Sequence, residues 1–355
     1  MLSENQQISK SERRWGIVGV GSYLPERRRT NEDIAAGAGV HAQWIVERTG
    51  VRQRFVAAPD EAASDLAAVA LKSAAAAAGI DVERLRLIVV ATSTPDELGP
   101  STACRVQALT GASHAVALDV TAACSGWLFA AKVARDWLAQ DDLAGYAAVV
   151  AVEAYSKFLD PTDRATATLF GDGAAAAILG PVPEHGFADF VLGSDGHFAD
   201  HALIPAGGSR RPASTATLND RGHKITMNGR GVRDFIVDIF PRIVTDALAR
   251  NHLALTDLAA VITHQPNPLL LQQVARDFGV TDGQLVVVGD RVGNIGAASI
   301  PYGLATAAAD KRLAHGDRIL LVTFGGGVTW GTSLLRWNGA PSIRSGPIPT
   351  RLAPA

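Results

Sequence analysis

Two cysteines occur in the chain, and one stands where a protein can make a thiol reactive. Cys124 lies in DVTAACSGWLFAAKVARDWL, after a strand-like run and before a run that places Trp127, Ala130, Ala131 and Ala134 on one helical face. The field of a helix N-terminus favours a thiolate and lowers the thiol pKa. Cys124 is therefore a candidate nucleophile, and a buried structural cysteine is the alternative.

The other cysteine fits that structural alternative. Cys104 lies in STACRVQAL, inside a helical pattern, and we expect it to be a buried packing residue. Two cysteines cannot form a disulfide framework, which favours a reducing, intracellular location.

His264 and a glycine cluster follow strand-like runs in the later part of the chain, and Asn294 lies between them in the sequence. His264, in VITHQPNP, comes where α/β folds bind ligands, although a structural histidine has the same appearance. Asn294, in RVGNIGAASIPYGL, has glycines on both sides, which indicates a tight turn before a small-residue helix. The glycines of FGGGVTWG (324–331) could present N–H groups to an oxyanion, or could simply allow a turn.

These segments belong to a pattern of buried strands that alternate with Ala-rich helices, which predicts an α/β fold with largely parallel strands. The predicted strands are Leu87–Ala91, Ala147–Val152, Ala259–Thr263 and Ile319–Thr323.

An internal similarity predicts that one α/β unit is duplicated. LRLIVVATSTP (85–95) resembles LAAVITHQPNP (258–268), and GYAAVVAV (145–152) resembles GDRILLVT (316–323), at offsets of 173 (258 minus 85) and 171 (316 minus 145). A predicted helix lies between the paired strands in each unit, at Ser125–Gln140 and at Gly296–Leu313. Chance similarity between buried strands is the alternative.

The duplication has consequences for the site and for the domain boundaries. Asn294 falls next to the position that matches Cys124, so the two helix starts would meet at one site. The boundary is expected near Pro181–His185, which gives an N-terminal half over 14–184, a C-terminal half over 185–337 and a flexible tail over 338–355.

The composition excludes several classes of protein. The 355 residues are 47% hydrophobic and 19% charged, with a net charge of −2, which argues against a nucleic-acid binder. No apolar stretch approaches the length of a membrane span, and the polar first residues do not resemble a secretory signal. We expect a soluble cytoplasmic protein.

Taken in order, the motifs resemble ketoacyl-acyl-carrier-protein synthase III, a condensing enzyme of the thiolase superfamily, over about residues 14–337. The resemblance implies a thiolase-like fold, with the duplicated α/β unit forming layered α-β-α-β-α architecture, and a homodimer. The motifs are GSYLPERRRTNEDI, WIVERTGVRQR, AACSG, DPTDRATATLFGDGAAAAIL, HQPN, GNIGAASIP and FGGGVTWG.

The resemblance also implies a reaction. Cys124 would take an acyl group from acyl-CoA, and the backbone N–H groups of Cys124 and Gly326 would form the oxyanion hole. His264 and Asn294 would bind the thioester carbonyl of a malonyl group on acyl carrier protein and stabilise the enolate left by loss of carbon dioxide. Neutral donors fixed where charge develops suit this task. No metal or redox cofactor is implied, and no metal-ligand spacing is visible.

Four residues match family positions that bind coenzyme A. Trp44, Arg48 and Arg164 would stack on adenine or pair with phosphates, and Asn267 would contact the pantetheine arm. A packed surface helix is the alternative for Trp44 and Arg48.

Three departures from the family pattern leave the substrates open. Leu269 and Asp234 replace basic residues associated with carrier-protein docking, and Gly99 replaces an aromatic residue that caps the acyl pocket of the partner subunit. Acyl groups larger than acetyl are therefore expected. Starter-unit loading, or acyl transfer to a hydroxyl, an amine or a carrier protein in specialised metabolism, is the alternative function. A non-catalytic thioester-binding subunit is a third reading, which the intact Cys, His and Asn set disfavours.

Overall fold

The computed structural model describes residues 14–141 and 145–345. Its strands are β1 (Arg14–Tyr23), β2 (Arg27–Thr30), β3 (Gln53–Val56), β4 (Leu85–Ala91), β5 (Val116–Val120), β6 (Tyr146–Ala154), β7 (Asp172–Val182), β8 (Gly186–Phe187), β9 (Val191–Ser194), β10 (Ala202–Leu203), β11 (Thr226–Met227), β12 (Ala260–Thr263), β13 (Leu285–Val286), β14 (Arg318–Gly325), β15 (Thr329–Arg336) and β16 (Ser342–Ser345). Its helices are α1 (Glu32–Ala35), α2 (Ala42–Thr49), α3 (Ala63–Ala78), α4 (Thr102–Thr110), α5 (Gly126–Gln140), α6 (Arg164–Ala167), α7 (Thr215–Asn219), α8 (Gly229–Arg250), α9 (Pro268–Phe278), α10 (Gly289–Val292) and α11 (Ser299–Ala309).

Two large sheets repeat one strand order. The first sheet runs β16-β1-β7-β6-β4-β5, and the second runs β13-β12-β14-β15-β8, with β9 also paired to β15. In the first sheet β4 is parallel to β5 and β6, and β6 is antiparallel to β7. In the second sheet β12 is parallel to β13 and β14, and β14 is antiparallel to β15. The predicted duplication of an α/β unit is confirmed.

The two sheets and their helices form five layers. Helices α3 and α4 pack on the outer face of the first sheet, and α8 and α9 pack on the outer face of the second. Helices α5 and α11 lie between the sheets. Strand β4 is apolar from Leu87 to its end because both of its faces are covered: Leu87 and Val89 face the central helices, while Ile88 and Val90 face α3 and α4.

The end of the described chain differs from the prediction of a flexible tail over 338–355. Residues Ser342–Ser345 form β16, which pairs in parallel with the end of β1. Arg344 donates hydrogen bonds to Thr306 O (2.9 Å) and Asp310 Oδ1 (2.7 Å) at the end of α11. Residues distant in the sequence hold this polar strand in place, so its own composition does not indicate a strand. The rest of the predicted tail, 346–355, lies outside the described residues.

Two smaller predictions are wrong for local reasons. The helix predicted over Gly296–Leu313 ends at Ala309, because Lys311 adopts a left-handed backbone (φ +56°) that a helix cannot contain. Cys104 is exposed rather than buried, because α4 turns Ala103 and Val106 toward the core and Cys104 toward solvent. Among the described residues, no helix has an apolar stretch sufficient to cross a bilayer.

Candidate active site

The nucleophile candidate lies in a strained turn that both halves of the chain hold. Cys124 occupies a short 3₁₀ turn, Ala123–Ser125, between β5 and α5, and the first residue of that turn has φ +46°. Thr323 Oγ1 donates a hydrogen bond to Cys124 O (3.2 Å), and Thr329 Oγ1 donates one to Ala122 O (3.1 Å). Strands β14 and β15 of the second sheet therefore fix the position of the turn.

His264 and Asn294 both bind the backbone of Gly296. His264 Nδ1 lies 3.3 Å from Gly296 O, and Asn294 Oδ1 accepts a hydrogen bond from Gly296 N (2.9 Å). Since a carbonyl oxygen only accepts, this hydrogen bond puts the His264 hydrogen on Nδ1 and the lone pair on Nε2. The Asn294 amide nitrogen is left to donate to a substrate. Burial lowers the pKa of His264 to about 3, so the imidazole is neutral.

One cavity of about 580 Å³ brings the predicted site together. Its walls include the three candidate catalytic side chains and the predicted coenzyme A residues. The predicted site residues that line it are Trp44, Arg48, Cys124, Arg164, His264, Asn267, Asn294 and Gly326. Gly99 is not among the lining residues; it follows Leu98, whose side chain is 87% exposed.

The predicted coenzyme A residues already contact one another. The Arg164 guanidinium carbon lies 5.8 Å from the centre of the Trp44 ring, within cation–π range. Asn267 Oδ1 caps α9 by accepting from Leu270 N (3.1 Å), and its Nδ2 donates to Arg48 O (3.1 Å). One amide hydrogen of Asn267 is left for a ligand.

The environment of the thiol differs from the sequence expectation in one respect. Burial, followed by the charge of Glu153, raises the pKa of Cys124 to about 12, whereas the helix N-terminus alone predicted a lowered pKa. The Tyr155 hydroxyl and the backbone N–H groups of Cys124 and Gly326 act in the lowering direction. Both amides predicted to form the oxyanion hole therefore favour the charged form of the sulfur.

The sequence analysis missed Glu153, near the carboxyl end of β6, and Tyr155, the first residue after that strand. Glu153 is 0% exposed, and its Oε2 accepts hydrogen bonds from Ser93 N (3.1 Å) and Thr94 Oγ1 (3.0 Å). Burial raises the pKa of Glu153 to about 8. The signal was an acidic residue directly after the apolar run AAVVAV, at the sheet edge where α/β folds bind ligands.

Solved structures share this architecture. The chain aligns with 3-oxoacyl-(acyl carrier protein) synthase III from Pseudomonas aeruginosa PAO1 at 37% identity and a TM-score of 0.84, covering 92% of this chain and 99% of that one. The corresponding structure from Thermus thermophilus aligns at 38% identity and a TM-score of 0.83, covering 92% and 100%. The fold and the site define a thiolase-fold acyltransferase.

Sequence comparisons give the family. The model of 3-oxoacyl-[acyl-carrier-protein (ACP)] synthase III matches residues 118–196, and the model of its C-terminal part matches residues 248–337. A beta-ketoacyl-[acyl-carrier-protein] synthase III from Desulfitobacterium hafniense is 41% identical over 324 residues, covering 91% of this chain and 98% of the relative. One from Clostridioides difficile is 41% identical over 322 residues, with the same coverage. The chain belongs to the beta-ketoacyl-[acyl-carrier-protein] synthase III family.

Proposed function

We propose that the protein catalyses a decarboxylative Claisen condensation between the acyl group of an acyl-CoA and malonyl-acyl carrier protein. The observation that carries this proposal is the arrangement around one cavity: a thiol, two backbone amides that favour its charged form, and a histidine and an asparagine that both bind the backbone of Gly296. A covalent acyl-enzyme divides the reaction into two easier steps.

In the first step Cys124 takes the acyl group. A thiol with a raised pKa needs a base, and neutral His264 offers its Nε2 lone pair. The sulfur attacks the thioester carbonyl, and the N–H groups of Cys124 and Gly326 stabilise the oxyanion. The C–S bond to coenzyme A then breaks, and its sulfur receives the proton from His264.

In the second step the malonyl thioester carbonyl accepts a hydrogen bond from the Asn294 amide nitrogen. Loss of carbon dioxide leaves an enolate, whose carbon attacks the acyl-Cys124 carbonyl and expels the sulfur. The overall reaction consumes one proton, which returns to Cys124 through His264 Nε2. Because the His264 hydrogen lies on Nδ1, we assign proton transfer to Nε2. The Asn294 amide donates the hydrogen bond to the enolate oxygen.

The remaining substrate contacts follow from the cavity wall. Trp44 and Arg164 would hold adenine between an indole and a guanidinium, Arg48 would pair with phosphate, and Asn267 would donate to pantetheine. The chemistry needs no metal or redox cofactor. A cytoplasmic location suits a catalytic thiol that has to stay reduced.

We also propose a homodimer formed through the β5 edge of the first sheet. Strand β5 is terminal in that sheet, and Val116 on it is 47% exposed. Gly99 would then face the acyl pocket of the partner subunit. Because glycine fills little space there, acyl groups longer or more branched than acetyl would fit.

Starter-unit loading or acyl transfer to another acceptor is the second candidate function. Leu269 stands at the position of a basic docking residue, is 39% exposed and lines the cavity. The surface that an acidic carrier protein would approach therefore lacks one positive charge. A priming β-ketosynthase from the R1128 polyketide pathway is 29% identical, with a TM-score of 0.83 over 93% of this chain.

The test is intact-mass measurement after incubation with a panel of acyl-CoAs, followed by malonyl-carrier protein. We expect an acyl adduct on the wild type and none on Cys124→Ala, with longer or branched chains loaded at least as fast as acetyl. Carbon dioxide and a β-ketoacyl product should follow. An adduct that persists in Cys124→Ala contradicts the proposal, and acyl transfer without carbon dioxide supports the second candidate.

A further inference from the structure

A buried carboxyl group lies against the residue that orients both His264 and Asn294. Glu153 Oε1 and the Tyr155 hydroxyl pack on Gly296 so closely that a Cβ added there would lie 2.8 Å and 2.6 Å from them. The backbone of the same residue binds both side chains, its carbonyl oxygen lying against His264 Nδ1 and its N–H against Asn294 Oδ1. Any shift of Glu153 would therefore move the backbone on which the geometry of both side chains depends.

The same carboxyl group is linked to the nucleophile. The charge of Glu153 raises the pKa of the Cys124 thiol, and the Tyr155 hydroxyl, which packs on Gly296 beside Glu153, lowers the pKa of both groups. An ionised Glu153 would thus repel the negative charge that forms on the Cys124 sulfur and on the enolate oxygen, in a site with little water to screen it. Within the described residues, no lysine or arginine forms an ion pair with Glu153 that would offset its charge.

We propose that Glu153 is a positioning residue that must be protonated for the reaction, because it supports the Gly296 peptide and lies next to the developing charge. This inference rests on the proposed condensation. Protonated, the carboxyl group accepts from Ser93 N and Thr94 Oγ1 through Oε2 and keeps Oε1 neutral against Gly296.

The titratable groups that face Glu153 are Tyr155 on its own segment, Cys124 on the nucleophile turn, and His264 across Gly296. Burial raises the pKa of Tyr155 well above its usual value and that of Cys124 to about 12, and it lowers the pKa of His264 to about 3. These three keep one charge state between pH 6 and about pH 9.5. Glu153, with its pKa raised to about 8, is the group in this described cluster that changes charge.

The test measures acylation and decarboxylation separately from pH 6 to about pH 9.5 in wild type and Glu153→Gln. The amide keeps an acceptor for Ser93 and Thr94 and cannot ionise. We expect both wild-type rates to fall above pH 8, by about 30-fold at pH 9.5, and Glu153→Gln to lose this fall while keeping its activity at pH 7. Asp119→Asn removes a half-buried acid on β5, whose carboxylate accepts from Thr102 N and Ala103 N at the start of α4; it is the matched control and should keep the wild-type profile.

An unchanged alkaline fall in Glu153→Gln overturns the inference, and so does a folded Glu153→Gln that is inactive at every pH. If that variant does not fold, the wild-type profile still decides, because a flat profile up to pH 9.5 contradicts a required proton on Glu153. Absence of any acyl-enzyme at pH 7 would instead refute the proposed function, since every side chain named here has its active charge state at that pH.

Discussion

Acidification is expected to destabilise the protein through His264, and His264→Gln should remove that loss. Burial lowers the pKa of His264 from 6.5 to about 3, so the folded protein keeps a neutral imidazole where the unfolded chain binds a proton. The unfolded state is thus favoured as the pH falls from about 6.5 to about 3. The glutamine side chain is neutral throughout this range.

The magnitude follows from the difference between the two pKa values. Each pH unit inside the window costs about 1.4 kcal/mol of unfolding free energy. Between pH 7 and pH 5 the calculated loss from His264 is about 2 kcal/mol, since the unfolded histidine is nearly all protonated at the lower pH. Other groups contribute equally to wild type and variant, so the difference between them isolates His264.

Urea denaturation at pH 7 and pH 5 measures this difference. We expect the free energy of unfolding to fall by about 2 kcal/mol less in His264→Gln than in wild type. His114 is exposed, so His114→Gln serves as the control and should follow the wild type. Equal losses in wild type and His264→Gln would refute the burial of a neutral imidazole as the cause.

Three further substitutions test other parts of the site. Gly325→Ala would bring a Cβ within 2.8 Å of Cys124 N and 3.0 Å of Ser125 N, so acylation followed by intact mass should slow by about 100-fold with circular dichroism unchanged; a normal rate would contradict the close approach. Leu269→Arg should raise kcat/KM for an acidic carrier protein by about threefold at low salt, and the gain should vanish in 1 M salt. Gly99→Phe should shift acyl-CoA preference toward acetyl by about tenfold, measured by competition between acetyl-CoA and octanoyl-CoA; an unchanged ratio would remove Gly99 from the pocket.

The sequence predicts best the strands whose own apolar composition indicates a buried strand. The predicted Leu87–Ala91 and Ile319–Thr323 fall inside β4 and β14, because both faces of these strands are covered and every position but Thr323 is apolar. The strand Ser342–Ser345 was missed for the opposite reason. Its backbone partner is β1, more than 300 residues earlier, and Arg344 rather than an apolar side chain ties it to α11.

The candidate site also has residues that the sequence indicates and properties that depend on the folded chain. Cys124 and His264 were predicted because each follows a strand-like run, and Asn294 because it lies between glycines next to the position that matches Cys124; all three side chains line one cavity. The raised pKa of Cys124 was not predictable, because it depends on how far packing between the halves removes water from the sulfur. Glu153 carried a readable signal, but its contact with Gly296 joins two halves that only the folded chain brings together.

The parallel pairing of β16 with β1 also bears on how the chain is made. Strand β1 begins at Arg14, yet one of its two neighbours, β16, cannot pair with it until Ser342–Ser345 has left the ribosome. While the ribosome completes the second sheet, the nascent first sheet carries an unpaired strand edge, which is a template for association with other chains. This edge is therefore protected only after Ser342–Ser345 has left the ribosome.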